Sequence, residues 1–315
     1  MFKLKRIVVL VLSMTFITTI ISAKEVTLLM DWFPQGNQSG YWQAQFDNAH
    51  HDDLHIKIKS GGPKVNTTAQ VAAGSVEFGL QASDSVMLAN AKGAGLKGIF
   101  VSLNHVPYTL VFHPNTGVNS VKDLNGRPFA VKMGVTYWKW VKHTYQLNDV
   151  KEFPLTGDLG LFARTPQQFQ QGYSLFLPAR LDAKGVANEQ ITVESLGYRP
   201  YSVLFTTDKM IKENRELVQK VVDRLSISFH KSLVAPKPTM DFILSKSKKV
   251  NAEIHMNAIE LMKQDFLPQD WSKIGCQDPN RWVEVANQMK EVNVLPANFD
   301  PHSSYDTSFK KGCFK

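Results

Sequence analysis

Short apolar runs alternate with amphipathic segments over roughly the first two hundred residues, and this alternation limits the possible folds more than any other feature of the chain. Val26–Met30 and Phe78–Leu80 have the length and composition of buried strands, whereas Gly40–Asn48 has the spacing of a helix. Strands that alternate with helices form α/β units around a mainly parallel sheet. From Asn214 onward the pattern is helical. We therefore predict an α/β architecture whose helical tail packs back on the first unit.

The other predicted elements follow the same two periodicities. The predicted strands are Leu54–Ile58, Ile99–Leu103, Thr109–His113, Phe129–Val131, Ile191–Val193 and Val203–Phe205. The predicted helices are Val65–Ala73, Asp84–Lys92 with Ser83 as its cap, Tyr137–Tyr145, Ala252–Met262 and Arg281–Met289. A further helix after Asn214 has its apolar stripe at Leu217, Val218, Val221, Val222, Leu225 and Phe229.

The N-terminus has the order of a secretory signal peptide. Three basic residues precede an apolar run that begins at Ile7, becomes rich in Ser and Thr, and ends at the small residue Ala23. Such a run is too short and too hydroxylated to span a bilayer well. We predict cleavage near Ala23 and export to the periplasm, with an uncleaved anchor as the alternative. Loss of the three basic residues reduces the net charge of the chain from +8 to +5.

The chain has two cysteines, Cys276 and Cys313, and an exported protein meets an oxidising compartment. A disulfide between them would close a loop of 37 residues and pin the C-terminal tail. Two unpaired thiols are the alternative, because spacing alone does not give the distance between the residues. Neither cysteine belongs to a C-x-x-C pair, which argues against redox catalysis.

Several functional classes lack their sequence signals. The densest basic run, Lys246 with Lys248 and Lys249, has no aromatic residues beside it, so we expect no nucleic-acid partner. The chain contains neither a P-loop nor a G-x-S-x-G elbow. His50, His51, Asp52 and Asp53 stand together in one turn, where neighbouring side chains seldom converge on one ion. We therefore expect no catalytic residues, no metal and no cofactor.

Aromatic and polar residues where predicted strands end are the best lead on function. Open α/β sheets bind ligands in the crevice beyond the carboxyl ends of their strands, and aromatic rings there can stack on a flat ligand. Core packing is the alternative for each ring, and turn or helix-cap chemistry is the alternative for Asp31 and Asp84. The candidate ligand-binding residues are Asp31, Trp32, Asn37, Tyr41, Gln81, Ser83, Asp84, Trp138, Tyr173, Tyr198 and Tyr201.

Eight motifs spread over most of the mature chain resemble those of the NMT1/THI5-like (SsuA/THI5) substrate-binding proteins of ABC importers, and they stand in the family's order. They are Val26–Pro34, Gly40-Tyr41, Gln70–Gly74, Val76–Gly79, Val121–Gly126, Gln170–Tyr173, Gly197–Tyr201 and Leu204–Asp208.

The resemblance implies a type II periplasmic-binding-protein fold, in which two α/β lobes hinge over a central cleft. The first lobe would contain residues 24–108 and 207–315, and the second lobe residues 109–206. The implied function is the capture of a small molecule for an ABC permease and its ATPase, by a protein we expect to be monomeric. Similar members bind thiamine pyrimidine precursors of the formylaminopyrimidine or hydroxymethylpyrimidine type, or riboflavin, and more distant ones bind sulfonates or nitrate. The aromatic surplus favours a flat heterocycle.

A related eukaryotic branch consists of thiamine pyrimidine synthases, and the chain departs from the pattern of those enzymes. They use a lysine in a Gly-Leu-Lys segment, a histidine four residues later and a cysteine-rich motif. Here Gln81 and Ser85 stand at the first two positions, and the cysteine cluster is missing. The chain also has Gln38 and Leu177-Pro178 where the importer motif usually has histidine and Glu-Pro. We therefore predict a binding protein and not an enzyme.

Overall fold

The computed structural model describes residues 23–51, 53–247 and 251–313. The predicted signal peptide lies outside these ranges except for its last residue, Ala23. The described chain folds around two five-stranded sheets, here called sheet A and sheet B. Their strands are, in chain order, β1 (Lys24–Leu29), β2 (Leu54–Lys59), β3 (Phe78–Ala82), β4 (Leu96–Leu103), β5 (Tyr108–Phe112), β6 (Pro128–Val131), β7 (Lys151–Pro154), β8 (Phe169–Tyr173), β9 (Glu189–Thr192) and β10 (Ser202–Thr207).

Both sheets are mixed, which corrects the prediction of a mainly parallel sheet. Sheet A has the order β2-β1-β3-β10-β4 and sheet B the order β7-β6-β8-β5-β9. In sheet A, β10 runs antiparallel to both of its neighbours, and in sheet B the same is true of β5. These two strands enter their sheets directly from the other sheet and not through a helical crossover, so nothing requires them to run parallel.

Eleven helices are formed by the described residues. They are α1 (Ser39–Phe46), α2 (Thr67–Ala72), α3 (Ser83–Asn90), α4 (Thr136–Tyr145), α5 (Leu159–Ala163), α6 (Leu177–Asp182), α7 (Asp208–Glu213), α8 (Arg215–Val234), α9 (Pro236–Lys246), α10 (Ala252–Leu261) and α11 (Pro279–Glu291). Ser83 is the first residue of α3 and not its cap, which is Ala82. Its hydroxyl instead accepts a hydrogen bond from the Tyr201 backbone N–H at 3.0 Å.

The chain passes twice between the sheets, through residues 104–107 and 193–201. We call the part around sheet A the first lobe and the part around sheet B the second lobe. Strand β10 pairs with β3 and β4, so the predicted second-lobe range of 109–206 needs correction at its C-terminal end. The apolar sequence of β10 predicts a buried strand, but it does not show which of the two sheets contains that strand. Strand pairing places β10 in sheet A.

The helical tail packs against the first lobe, as expected from the sequence. All six predicted stripe residues of α8 are buried. Helix α8 contacts α1 closely because Gly40 has no side chain: a Cβ there would lie 2.1 Å from the Phe229 ring. Farther along the chain, Cys276 is joined to Cys313 by a disulfide. Gly275 also pairs with Val101 of β4, so the last segment of the chain is tied to the edge of sheet A.

Candidate ligand-binding cleft

A small cavity lies between the two lobes, at the edge of sheet A where β1, β3 and β4 end. It leaves a volume of about 10 Å³ for the centre of a water molecule, which is room for about one water. Both lobes and the first crossing segment contribute to it, as in open α/β sheets that bind ligands beyond their strand ends. The lining residues are Asp31, Asn37, Leu80, Gln81, Ala82, Ser102, Leu103, Val106, Pro107, Tyr173 and Ser202.

Asp31, two residues beyond the end of β1, is the charged residue among the described lining residues. Burial raises its pKa to about 6, against the opposing effects of a hydrogen bond from Gln38 Nε2 at 3.4 Å and the positive charge of Lys132. Lys132 follows β6, so the carboxyl group of Asp31 in the first lobe interacts electrostatically with a cation of the second lobe. A carboxyl group with this pKa exists in both forms near neutral pH, and it can therefore donate as well as accept a hydrogen bond.

The lining amides differ in their hydrogen bonding. Asn37 lies in a 3-10 turn, Gly36–Gln38, and its Oδ1 is buried without a hydrogen-bond partner among the described residues. Gln81 is engaged, because its Nε2 donates to Thr67 Oγ1 at 3.3 Å and its Oε1 accepts from the Ala82 N–H at 3.0 Å. A buried acceptor without a partner carries a free-energy cost, so Asn37 is the lining residue that gains most from a donor on a ligand.

Three tyrosines of the second lobe form an aromatic group beside the cavity. The ring of Tyr173 lies edge-on to Tyr108, with centroids 5.6 Å apart, and Tyr108 stacks on Tyr137 at 4.7 Å. Burial, followed by nearby negative charge or neighbouring phenols, raises the pKa of all three far above the usual range. The phenols therefore stay protonated and neutral. The Tyr137 hydroxyl is buried without a partner among the described residues.

A second carboxyl group, that of Asp84, is held at the start of α3. It is 4 % exposed and accepts a hydrogen bond from the Tyr198 hydroxyl at 3.0 Å. Burial raises the pKa of Asp84, and the bond from Tyr198 opposes that rise. Its place in the first turn of the helix also sets its negative charge against the positive end of the helix dipole. Asp84 thus joins the first lobe to the second crossing segment.

The cavity gathers four of the eleven predicted site residues: Asp31, Asn37, Gln81 and Tyr173. Ser83 and Asp84 lie next to it but bond to Tyr201 and Tyr198.

The remaining predicted aromatic residues are not among the residues that line the cavity. Trp32 is 37 % exposed, edge-on to Phe33. Tyr41 is buried against Phe229, with its hydroxyl beside Ser102 of the cavity wall. Trp138 is buried against Phe129. Tyr198 is buried, with its ring near Trp140, and Tyr201 points away from the cavity, where its hydroxyl accepts from the Asp278 N–H at 3.1 Å.

Several lining residues were not predicted from the sequence. They are Leu80, Ala82, Ser102, Leu103, Val106, Pro107 and Ser202. Ser102 gave a usable signal, since it is a polar residue inside an apolar strand. Its hydroxyl is buried and donates to the Ser202 backbone carbonyl at 3.1 Å. Val106 and Pro107 belong to a crossing segment, whose position only the relation of the two sheets defines.

Neither a metal-binding cluster nor a membrane-spanning helix is present among the described residues. Within residues 23–51, 53–247 and 251–313, no three His, Cys, Asp or Glu side chains are placed to hold a metal ion. Asp52 of the His50–Asp53 turn lies outside those ranges. In the same part of the chain no helix is both long and apolar enough to cross a membrane.

Comparison with solved structures identifies the fold. The periplasmic aliphatic sulphonate-binding protein SsuA of Escherichia coli superposes with a TM-score of 0.70 at 12% identity, over 90% of this chain and 92% of that one. The alkanesulfonate-binding protein SsuA of Xanthomonas axonopodis pv. citri, bound to MOPS, gives a TM-score of 0.66 at 13% identity over 90% and 99%. At this identity the likeness establishes the periplasmic-binding-protein fold.

A curated relative matches a shorter stretch. The 4-amino-5-hydroxymethyl-2-methylpyrimidine phosphate synthase of Legionella pneumophila is 28% identical over 103 residues, which is 32% of this chain. The match spans a third of the relative's own length. The family model described as NMT1/THI5 like matches residues 37–237, well over half of the chain. The chain therefore belongs to the NMT1/THI5-like family.

Proposed function

We propose that this protein is the substrate-binding component of an ABC importer and that it binds a small nitrogen heterocycle of the thiamine-pyrimidine type between its lobes. The observation that carries the proposal is the interlobe cavity with the unpartnered Asn37 Oδ1 and the carboxyl group of Asp31. An aminopyrimidine edge presents an N–H donor beside a ring-nitrogen acceptor. Asn37 can accept from the amino group, and Asp31 in its protonated form can donate to the ring nitrogen.

The charge of the lining favours this ligand over a sulfonate or nitrate. Recognition of such anions leans on arginine and on free backbone N–H groups. Among the described lining residues there is no Lys or Arg, and Asp31 is acidic. The nearby start of α3 is already matched to the carboxyl group of Asp84. Riboflavin stays as the alternative heterocycle.

Binding requires the lobes to move. A cavity with room for about one water does not admit a heterocycle, so the lobes must separate for entry and close again around the ligand. Contacts from both lobes then favour the closed state by population shift, and the permease and its ATPase receive the closed, loaded protein. This function places the mature protein in the periplasm, consistent with the signal-peptide pattern of the N-terminus.

Isothermal titration calorimetry tests the proposal with four ligands: 4-amino-5-hydroxymethyl-2-methylpyrimidine, its formylamino analogue, riboflavin and ethanesulfonate. We expect the pyrimidines to bind most tightly. Asn37→Leu should weaken binding by about tenfold or more, because the ligand amino group loses its acceptor. Asn257→Leu, on the exposed face of α10, is the matched control and should leave the affinity unchanged. Tighter binding of ethanesulfonate than of every heterocycle would overturn the proposal.

An enzyme of pyrimidine synthesis is the second candidate, because the Legionella synthase matches part of the chain. The position of that branch's lysine is occupied by Gln81, which lines the cavity and has no amine to form an imine. Incubation with pyridoxal phosphate should therefore give no imine absorbance band. Appearance of such a band, and its loss in a variant of one lysine near the cleft, would favour the enzyme.

A further inference from the structure

A turn of the second lobe is buried in the core of the first lobe. Leu175 and Phe176, between β8 and α6, are only 1 % and 8 % exposed. They pack in the hydrophobic cluster formed otherwise by first-lobe residues of sheet A, α1, α8, α9 and α10, with partly buried Tyr173 at its edge. We call residues 174–176 the latch turn. Because its apolar side chains lose these contacts when the lobes separate, the latch turn stabilises the closed arrangement.

His255 of α10 contacts both the latch turn and the Gly36–Gln38 turn beside the cavity. Its ring lies 4.9 Å from the Phe176 ring, centroid to centroid. Its Nδ1 accepts a hydrogen bond from the Gly36 N–H at 3.0 Å. Accepting at Nδ1 requires a neutral imidazole with its proton on Nε2. Burial, and next the positive charge of Arg180 in α6, lower the pKa of His255 to about 4, which keeps the ring neutral.

The hydrogen bond to Gly36 ties α10 to the turn that carries two cavity groups. Gly36 begins the Gly36–Gln38 turn, in which Asn37 lines the cavity and Gln38 donates to Asp31. The contact with α10 is tight, because a Cβ on Gly36 would lie 2.4 Å from the His255 backbone oxygen. A shift of α10 therefore moves the turn that presents Asn37.

The second lobe has the matching connection. Tyr173, at the end of β8, lines the cavity, and the latch turn follows it directly. Both walls of the cavity are thus connected to the contact between His255 and Phe176. The first-lobe wall is connected through Gly36, and the second-lobe wall through Tyr173. A space of about 500 Å³ borders the latch turn at Ser174 and Leu175, which gives the turn room to withdraw.

We propose that His255 is a positioning residue that couples closure of the lobes to the shape of the ligand cavity: seating Phe176 against its ring fixes the hydrogen bond to Gly36 and so holds Asn37 and Gln38 in place. The inference rests on the proposed function for its ligand, but the coupling is a property of the chain itself and can be measured without one. A residue that only supported its own turn would be insensitive to the second lobe.

The test is hydrogen–deuterium exchange of the segment 35–38 in the full mature chain. In Phe176→Ala, exchange there should accelerate by about tenfold, although the substitution lies in the other lobe. His255→Phe keeps a ring against Phe176 but removes the acceptor, and it should accelerate exchange equally. His255→Asn places an amide oxygen near the position of Nδ1 and should restore protection. Phe153→Ala, a half-buried phenylalanine on β7 of the second lobe, is the matched control and should change nothing.

The proposal is overturned if folded Phe176→Ala exchanges like the wild type at 35–38, or if Phe153→Ala accelerates exchange as much as Phe176→Ala. Phe176→Leu, which keeps most of the volume, serves if the alanine variant does not fold and should act in the same direction. Addition of 4-amino-5-hydroxymethyl-2-methylpyrimidine should slow exchange at both 35–38 and 174–176. If Phe176→Ala accelerates exchange but no heterocycle slows it, the result counts against the proposed ligand and supports the coupling through His255.

Discussion

The two lobes meet at two junctions, and the second adds directional hydrogen bonds to its apolar packing. One is the latch turn, which is apolar and inserts Leu175 and Phe176 into the first lobe. The other is formed by α11 along the second crossing segment, and we call it the strap. In the strap, Arg281 Nη1 donates to the backbone oxygens of Asn104 and Arg199, at 3.4 and 3.3 Å.

The strap continues along α11 with directional bonds. Gln288 Nε2 donates to the Gly197 carbonyl at 2.9 Å, and Trp140 Nε1 of α4 donates to Glu291 at 3.1 Å. Such bonds, here partly buried, hold a defined geometry, whereas the apolar contacts of the latch turn are not directional. We therefore expect the lobes to pivot at the strap and to open at the latch turn.

The disulfide lies on the strap side, since Cys276 directly precedes α11, and its loss should have the largest effect. The double variant Cys276→Ser, Cys313→Ser opens a loop of 37 residues. The chain-entropy model gives a loss of roughly 3 to 4.5 kcal/mol in the free energy of unfolding. Urea denaturation of both proteins measures it. The radius of gyration should be unchanged. A loss of less than about 1 kcal/mol in the free energy of unfolding would show that the disulfide does not stabilise the strap.

Leu175→Ala should weaken the packing of the latch turn against the first lobe while both lobes stay folded. Truncation of a buried leucine costs about 2 to 5 kcal/mol, and here that cost falls on the closed state. We expect small-angle X-ray scattering to give a larger radius of gyration than for the wild type. Leu181→Ala is the control, because Leu181 is equally buried but packs within the second lobe's own cluster. It should lower stability and leave the radius of gyration unchanged; equal effects of the two variants on shape would refute the comparison.

Asp31 makes the cleft sensitive to pH. Its folded-state pKa of about 6 is above the unfolded value of 3.8, so its favourable contribution is complete below pH 3.8 and is lost as pH rises through 6. The shift corresponds to about 2 to 3 kcal/mol. The difference in unfolding free energy between Asp31→Asn and the wild type should therefore grow between pH 4 and pH 7. A difference that stays flat over this range would contradict the prediction.

The smallest effect is expected from the ion pairs of the strap. Glu284 pairs with Arg199 and with Arg281, both at 3.3 Å, and its side chain is 39% exposed. Exposed pairs contribute about 0.2 to 1 kcal/mol and weaken with salt. Glu284→Gln should lower stability by that amount at low salt and by less at high salt. Asp241→Asn, which breaks the isolated pair with Lys237, is the control. If the loss of stability in Glu284→Gln does not depend on salt, Glu284 does not act through these ion pairs.

Local periodicity predicted most strands and the buried stripe of α8, because alternation of apolar and polar residues reports burial directly. It did not predict which buried surface a residue faces. Trp138 and Tyr201 follow the pattern of cleft residues but fill the core, and β10 has the sequence of a central strand that either sheet could accept. Gln81 was predicted from its place at a strand end and Tyr173 lies in the family motif Gln170–Tyr173, and both line the cavity. The short apolar segment 175–176 carried no signal of its role.

Local composition and the order of motifs are enough to give the α/β class, the family and the residues that must be buried. Only the tertiary structure decided that β10 belongs to sheet A, that Asn37 keeps an acceptor free beside Asp31, and that Phe176 meets His255 across the lobes. These facts join residues up to 219 positions apart, as in the bond between Gly36 and His255. Contacts of that kind depend on how two complete lobes pack together, and no local pattern encodes them.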